Sequence, residues 1–137
     1  MNPLNIALIF CFLFLPFHSA PIDTASAAQT ITLTADQVSS AIDIETALEQ
    51  ASAGGSRAGV VILDGSKGPF SFTGEDRTIN LFHSNLSLRG SHNAFFSAIE
   101  GIYLDEQPTN NLVIEGMTLY CQADCIGGAG SHNRVSI

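Results

Sequence analysis

Short runs of alternating apolar and polar residues fill most of this chain, and three of the runs are alike. Each begins with an Asn-containing polar turn and continues with apolar residues at alternate positions; they span residues 84–90, 110–116 and 132–137. Equivalent apolar residues lie 26 positions apart from Leu86 to Leu112 and 23 apart from Leu112 to Val135. A period in the twenties is typical of solenoids, whose repeats bury their apolar faces against one another. The pattern therefore predicts a stack of coils.

One early segment has helical periodicity instead. Residues 31–34 alternate like a strand, and apolar residues then recur at the i, i+3, i+4 and i+7 positions of one helix face: Ile44, Ala47, Leu48 and Ala51. Ser40 or Asp43 is expected to cap the start of this helix, and the glycines at 54–55 to end it. We expect one amphipathic helix that covers the first coil.

After this helix the sequence predicts only strands separated by turns. The apolar clusters are 60–63, 70–72, 79–82, 86–88, 95–96, 102–104, 112–114, 117–119 and 135–137. Turn residues between them include Gly68-Pro69, Thr73-Gly74 and Gly127-Gly128. Many short strands are also compatible with a sandwich or a barrel, whereas the repeated Asn-apolar-x-apolar phrase favours coils.

The opening of the strand-rich region resembles a known superfamily. Residues 46–63, a helix followed by Ala-Gly-Gly and Gly-Val-Val-Ile-Leu, resemble the start of right-handed parallel β-helix proteins of the pectin-lyase-like superfamily. The phrases at 85–90 and 111–116 are similar to that superfamily's coil repeats. The resemblance covers about residues 40–137 and implies an all-β fold, a right-handed parallel β-helix with an N-terminal capping helix and about three coils. It is specific for the fold and not for the activity.

The two ends of the chain suggest export and truncation. Residues 4–17 are almost all apolar but are fewer than the roughly 20 that cross a bilayer, and small residues follow them. We therefore expect a signal peptide at 1–28 of a secreted protein; an uncleaved membrane anchor is the alternative. Residues 29–58 would form the first strand and capping helix, and 59–137 the coils. The third repeat stops within a strand, which suggests a fragment of a longer solenoid or an end covered by a partner.

Charge excludes some partners. The chain has 5 basic and 13 acidic residues, a formal charge of −8, and loss of residues 1–28 would leave −7. Nucleic-acid recognition needs a basic face, so this acidity argues against it and against docking on anionic lipid.

The best candidate for chemistry is the segment at 124–133. It resembles the Asp-Asp-Cys-Ile stretch of polygalacturonase-type glycoside hydrolases, in which paired aspartates act on the glycosidic bond. Ala123 stands where the first aspartate is expected, and the later motifs of that family are missing. Asp105, 19 residues before Asp124, is the candidate partner, one coil away on the same face. Alternatively, both are solvated turn carboxylates, and whether the chain is an enzyme stays open.

The sequence offers two candidate metal sites. Hard oxygen ligands for Ca²⁺ are available from four acids, Glu100, Asp105, Glu106 and Asp124, although scattered surface acids are the favoured interpretation. Gly-Ser-His-Asn occurs at 90–93 and again at 130–133, where paired imidazoles would bind metal or act as acid and base, unless both are turns with an exposed imidazole. No other cofactor is expected.

Two further residue pairs are predicted to have structural roles. Cys121 and Cys125 would form a disulfide in an oxidising compartment, or one of them fills the coil interior as a small apolar residue. Asn85 and Asn111, at equivalent turns, would stack as a ladder and adopt left-handed backbone.

These patterns lead to two functional hypotheses. The first is a secreted β-helix protein that binds or processes polysaccharide, in the manner of pectate lyases and polygalacturonases, and is inactive as this fragment. The second is a structural or adhesive solenoid of the cell surface without chemistry.

Overall fold

The computed structural model describes residues 27–72, 79–104, 109–129 and 132–137, so the predicted signal segment lies almost wholly outside the described part. The described residues form one α-helix, two short 3₁₀ turns and eleven strands. Their bounds are α1 Ala41–Ser52, β1 Gln29–Thr34, β2 Gly59–Asp64, β3 Phe70–Phe72, β4 Ile79–Leu81, β5 Leu86–Ser91, β6 Phe95–Ala98, β7 Ile102–Leu104, β8 Thr109–Glu115, β9 Thr118–Cys121, β10 Ile126–Gly128 and β11 His132–Ser136.

The strands make three sheets in which every pairing is parallel. Sheet A has the order β1-β2-β5-β8-β11, sheet B the order β3-β6-β9, and sheet C the order β4-β7-β10. From β2 onward the described strands pass from A to B to C and back to A in a constant order. We call β2–β4 the first turn, β5–β7 the second and β8–β10 the third. The predicted β-rich fold with one helix is confirmed at this level.

Strand register confirms the repeat read from the sequence. Leu88 pairs with Ile114, and Leu112 pairs with Val135, which are the predicted offsets of 26 and 23 residues. Alternate residues of each strand point into one shared core, because strand side chains have a period of two. Among the described residues the largest completely buried side chains are Phe70, Phe96, Ile44, Leu48, Leu63, Ile79, Leu81, Leu86, Leu88, Ile102, Leu112 and Ile114.

The predicted helix is confirmed, and its ends have identifiable causes. Ser40 is the N-cap residue, and the Asp43 carboxylate accepts hydrogen bonds from the backbone N–H groups of Ser39 (2.7 Å) and Ser40 (3.1 Å). These bonds satisfy donors that the helix itself leaves free. Ala53, in left-handed conformation with φ of 48°, ends the helix one residue before the predicted glycine pair.

A carboxylate on the helix ties it to the edge of sheet C. Glu45 Oε1 accepts hydrogen bonds from the Asn80 backbone N–H at 2.8 Å and from Asn80 Nδ2 at 2.7 Å. Strand β4, which contains Asn80, is the first strand of that sheet. Because an unpaired edge exposes backbone donors, this contact protects the edge at the helix-covered end of the stack.

The turn predicted at residues 127–128 is wrong. Gly127 and Gly128 belong to β10, which pairs with β7 in sheet C, although two adjacent glycines indicated a turn. Neighbouring side chains explain their place in a strand. The Tyr103 ring lies over Gly127, and a Cβ built on Gly128 would come within 2.9 Å of Leu104 Cβ. Tertiary packing therefore overrides the local preference.

Candidate functional site

In the third turn, the corner between sheets B and C is held by a disulfide and by backbone hydrogen bonds. Cys121 and Cys125 are joined there by a disulfide, with their Cα atoms 5.2 Å apart. The loop they close also stacks on the equivalent loop of the second turn. Its contacts are backbone hydrogen bonds: Gln122 N to Ala98 O (3.3 Å), Ala123 N to Ile99 O (2.8 Å), Gly101 N to Asp124 O (3.0 Å) and Ile102 N to Cys125 O (2.8 Å).

A glycine makes this close stacking possible. A Cβ built on Gly101 would overlap the carbonyl group of Cys125 and come within 2.9 Å of its Cα. Both obstacles are backbone atoms, which cannot turn aside as a side chain can. Gly101 therefore lets the two loops approach closely enough to hydrogen-bond, and it fixes the position of Asp124 relative to the preceding loop.

Beside this corner lies a depression of about 250 Å³ on the outside of sheet C. Its lining combines an aromatic ring, two carboxylates and a strand of small residues: Glu100, Ile102, Tyr103, Asp124, Gly127 and Gly128. Tyr103 is in register with Gly127, and a Cβ on that glycine would lie 3.6 Å from the tyrosine Cδ2. The glycine therefore leaves the ring open along one wall of the depression.

Of the predicted catalytic pair, only Asp124 belongs to the described residues. It is exposed and lines the depression, whereas Asp105 lies outside the described part of the chain. In sheet C the register offset is 24 residues, from Ile102 to Ile126, and this sets Asp124 level with Glu100. The carboxylate that accompanies Asp124 in the depression is thus Glu100, and the pairing with Asp105 stays a prediction.

Two of the four acids predicted to bind calcium belong to the described residues. Glu100 and Asp124 share the depression, while Asp105 and Glu106 lie outside the described residues. Among the residues that are described, no group of three or more His, Cys, Asp or Glu side chains is placed to hold a metal ion. The predicted calcium and histidine sites therefore stay untested predictions.

His92 has a carboxylate partner within the stack. Its Nδ1 lies 2.9 Å from Asp64 Oδ1, and the side chain of His132 is outside the described part. The same Asp64 oxygen accepts the Ser66 backbone N–H at 2.8 Å. Hydrogen bonds from Ser66, first from its backbone and then from its side chain, lower the pKa of Asp64, with a smaller contribution from His92. This arrangement fixes the end of β2 to the end of β5.

An aromatic pair that the sequence analysis did not identify lies on the outside of sheet B. The rings of Phe95 and Tyr120 are stacked, with centroids 6.4 Å apart and planes inclined by 22°. Their residues are 37% and 62% exposed. Tyr120 immediately precedes Cys121, so the disulfide corner separates this pair from the depression. The two features occupy adjoining faces of the second and third turns.

The predicted asparagine ladder is confirmed on another corner. Asn111 Nδ2 donates to Asn85 Oδ1 at 2.8 Å, and the two residues have φ of 56° and 60°. Arg134 takes the equivalent position in β11, also with positive φ. An open polar groove of about 630 Å³ runs along these residues and is lined by Ser84, Asn85, Asn110, Asn111 and Arg134. In this groove Asn85 and Asn111 bond to each other, and Ser84 Oγ accepts the Asn110 backbone N–H at 3.0 Å, as expected of a structural ladder.

Comparison with known proteins adds no family to these observations. Within the described ranges, no helix has both the length and the apolar character needed to cross a bilayer. The chain matches no protein-family model, no curated protein and no solved structure.

Proposed function

We propose that the chain is a secreted right-handed parallel β-helix protein, of the pectin-lyase-like type, that binds polysaccharide on the outside of sheets B and C. Three parallel sheets visited in constant order support the β-helix. The strong preference for right-handed connections between parallel strands supports right-handedness. The fold supplies a long, regular outer surface that suits an extended polymer.

The single observation that carries the binding proposal is the exposed, stacked pair of Phe95 and Tyr120. Large aromatic side chains that lie side by side in solvent mark interaction sites more often than isolated ones do. Sugar rings present apolar C–H faces, and aromatic faces pack against flat ligands with little loss of conformational freedom. The polar depression beyond the disulfide corner offers hydrogen-bonding groups for the next residues of the polymer.

Binding to a panel of soluble polysaccharides tests this proposal. Affinity electrophoresis of the full chain against a β-glucan, chitosan and polygalacturonate would show at least one shift. Tyr120→Ala should weaken that binding about tenfold, because the ring loses roughly 60 Å² of covered apolar area at about 25 cal/mol per Å². Ile42→Ala, which removes an exposed apolar side chain of α1, is the matched control and should bind like the parent. Equal binding by the parent and Tyr120→Ala would refute the site.

The second candidate is a structural or adhesive solenoid without a carbohydrate site. The observation in its favour is the Asn85–Asn111 ladder, whose amide groups bond to each other. The pair formed by Arg89 and Glu115 adds a cross-strand contact between the same turns. Failure of the parent to bind any polymer of the panel would favour this function.

A further inference from the structure

The charges around the depression bear on which polysaccharide the surface takes. Glu100 and Asp124 are exposed, line the same depression and form no ion pair or side-chain hydrogen bond with any described residue. A backbone hydrogen bond from Gly101 to Asp124 holds the two loops together, so neither acid can move away by simple loop separation. The depression therefore presents two neighbouring negative charges.

The tyrosine that forms one wall strengthens the same preference. Tyr103 is half-buried and lies over Gly127, which leaves part of its ring available. A cation near an aromatic face is attracted by the ring quadrupole, and a cation near a carboxylate is attracted by its charge. An ammonium group on a sugar would receive both attractions in this depression.

A uronic-acid polymer fits these charges poorly. The chain already has a formal charge of −8, and a polymer with one carboxylate per sugar would meet like charges at Glu100 and Asp124. Calcium would have to bridge them. Binding of such a polymer would therefore depend on added calcium.

We infer that the polymer carries free amino groups, as in a chain of glucosamine residues, with sugar rings on Phe95 and Tyr120 and an ammonium group in the depression between Glu100 and Asp124. This inference rests on the proposed polysaccharide binding. The partner is chosen by charge complementarity: the aromatic pair accepts any sugar face, and the two acids select the cationic sugar.

Calorimetric titration with two oligosaccharides that differ only in acetylation tests the inference. The probes are a glucosamine hexamer and its fully N-acetylated counterpart, at a mildly acidic pH where sugar amines are protonated. The parent should bind the deacetylated hexamer at least about fivefold more tightly than the N-acetylated one. Glu100→Gln combined with Asp124→Asn should remove that difference, because each exposed pairing contributes up to about fivefold. Tyr120→Ala should weaken the binding of both hexamers to the same extent.

A charge-matched control variant removes two other carboxylates, away from the depression. Asp36→Asn combined with Glu49→Gln changes the helix-covered end of the stack and should leave the preference for the deacetylated hexamer intact. If the parent binds both hexamers equally, or binds polygalacturonate more tightly with calcium present, the inference is overturned and the proposed function stands. If the parent binds neither hexamer nor any other polysaccharide, both are overturned.

Discussion

The two ends of the stack bury their apolar residues to very different degrees. In the first turn Val61, Leu63 and Ile79 are fully buried, because α1 covers them on one side and the second turn on the other. In the third turn, by contrast, Leu119 of β9 and Ile126 of β10 are only partly buried, and among its described residues only those of β8, which β11 covers, are fully buried, such as Leu112. A coil of this type owes its burial to neighbours on both sides, so position in the stack decides how much a given apolar residue contributes.

The third turn is held by other means. A disulfide closes its corner, and four backbone hydrogen bonds attach the corner to the turn below. The helix-covered end depends instead on packing, with Leu48 and Ile44 completely buried, and on the Glu45–Asn80 contact. Covalent and backbone restraint thus replaces side-chain burial where the candidate site lies.

Truncation of a leucine at each end should give the largest contrast. Leu48→Ala opens a cavity in a fully buried position and should lower the free energy of unfolding by about 3 kcal/mol. Leu119→Ala, in the third turn, should cost about 1 kcal/mol because the side chain is already half-exposed. Urea denaturation followed by circular dichroism measures both. Equal losses would mean that the third turn is as well packed as the first.

Gly101, in the corner before β7, and Gly127, in β10, distinguish backbone stacking from simple strand formation. Gly101→Ala should destabilise the chain by about 2 kcal/mol, since the added methyl meets backbone atoms of Cys125. Gly127→Ala is the matched control. Its Cβ would make an ordinary 3.6 Å contact with the Tyr103 ring, and the stability should change by less than about 0.5 kcal/mol. Thermal melts of the two variants would contradict this account if their order were reversed.

Removal of the disulfide tests how far the third turn depends on covalent restraint. For the short loop that Cys121 and Cys125 close, the chain-entropy argument gives a loss of about 2 kcal/mol in the double serine variant. Amide hydrogen exchange should quicken at Gln122 and Ala123, whose N–H groups bond to the turn below, and stay unchanged in α1. Uniform acceleration along the whole chain would show that the ends are not independent.

Much of the fold follows from periodicity, whereas the site does not. The helix and most strands were predictable because their apolar residues recur at one spacing, and the Asn85–Asn111 ladder because its residues occupy equivalent turns. The outward position of Phe95 was hidden by its neighbour Phe96. Two adjacent apolar residues do not say which one faces the core, and the pairing of Phe96 with Phe70 decides it.

The neighbours of Asp124 were hidden for a different reason. Repeat offsets differ from sheet to sheet, being 26 and 23 in sheet A but 24 between β7 and β10. Because turn lengths vary independently, the sheet A spacing does not carry over to the other corners. A shift of a few residues changes which acid lies beside Asp124, so the meeting with Glu100 becomes visible only when the strands are paired.

Acidification offers the finest test of the helix-covered end. Hydrogen bonds from the Ser39 side chain, and then from the backbones of Ser39 and Ser40, lower the pKa of Asp43 below its ordinary value of 3.8. The stability this provides is fully present above that ordinary value and is lost as the pH falls through the lower folded value. Asp43→Asn should therefore show a shallower fall in stability below about pH 3.8 than the parent. Urea midpoints measured at a series of acidic pH values give the two slopes. Parallel slopes would mean that the ionised carboxylate does not help to hold the start of α1, and that packing and the Glu45–Asn80 contact secure this end.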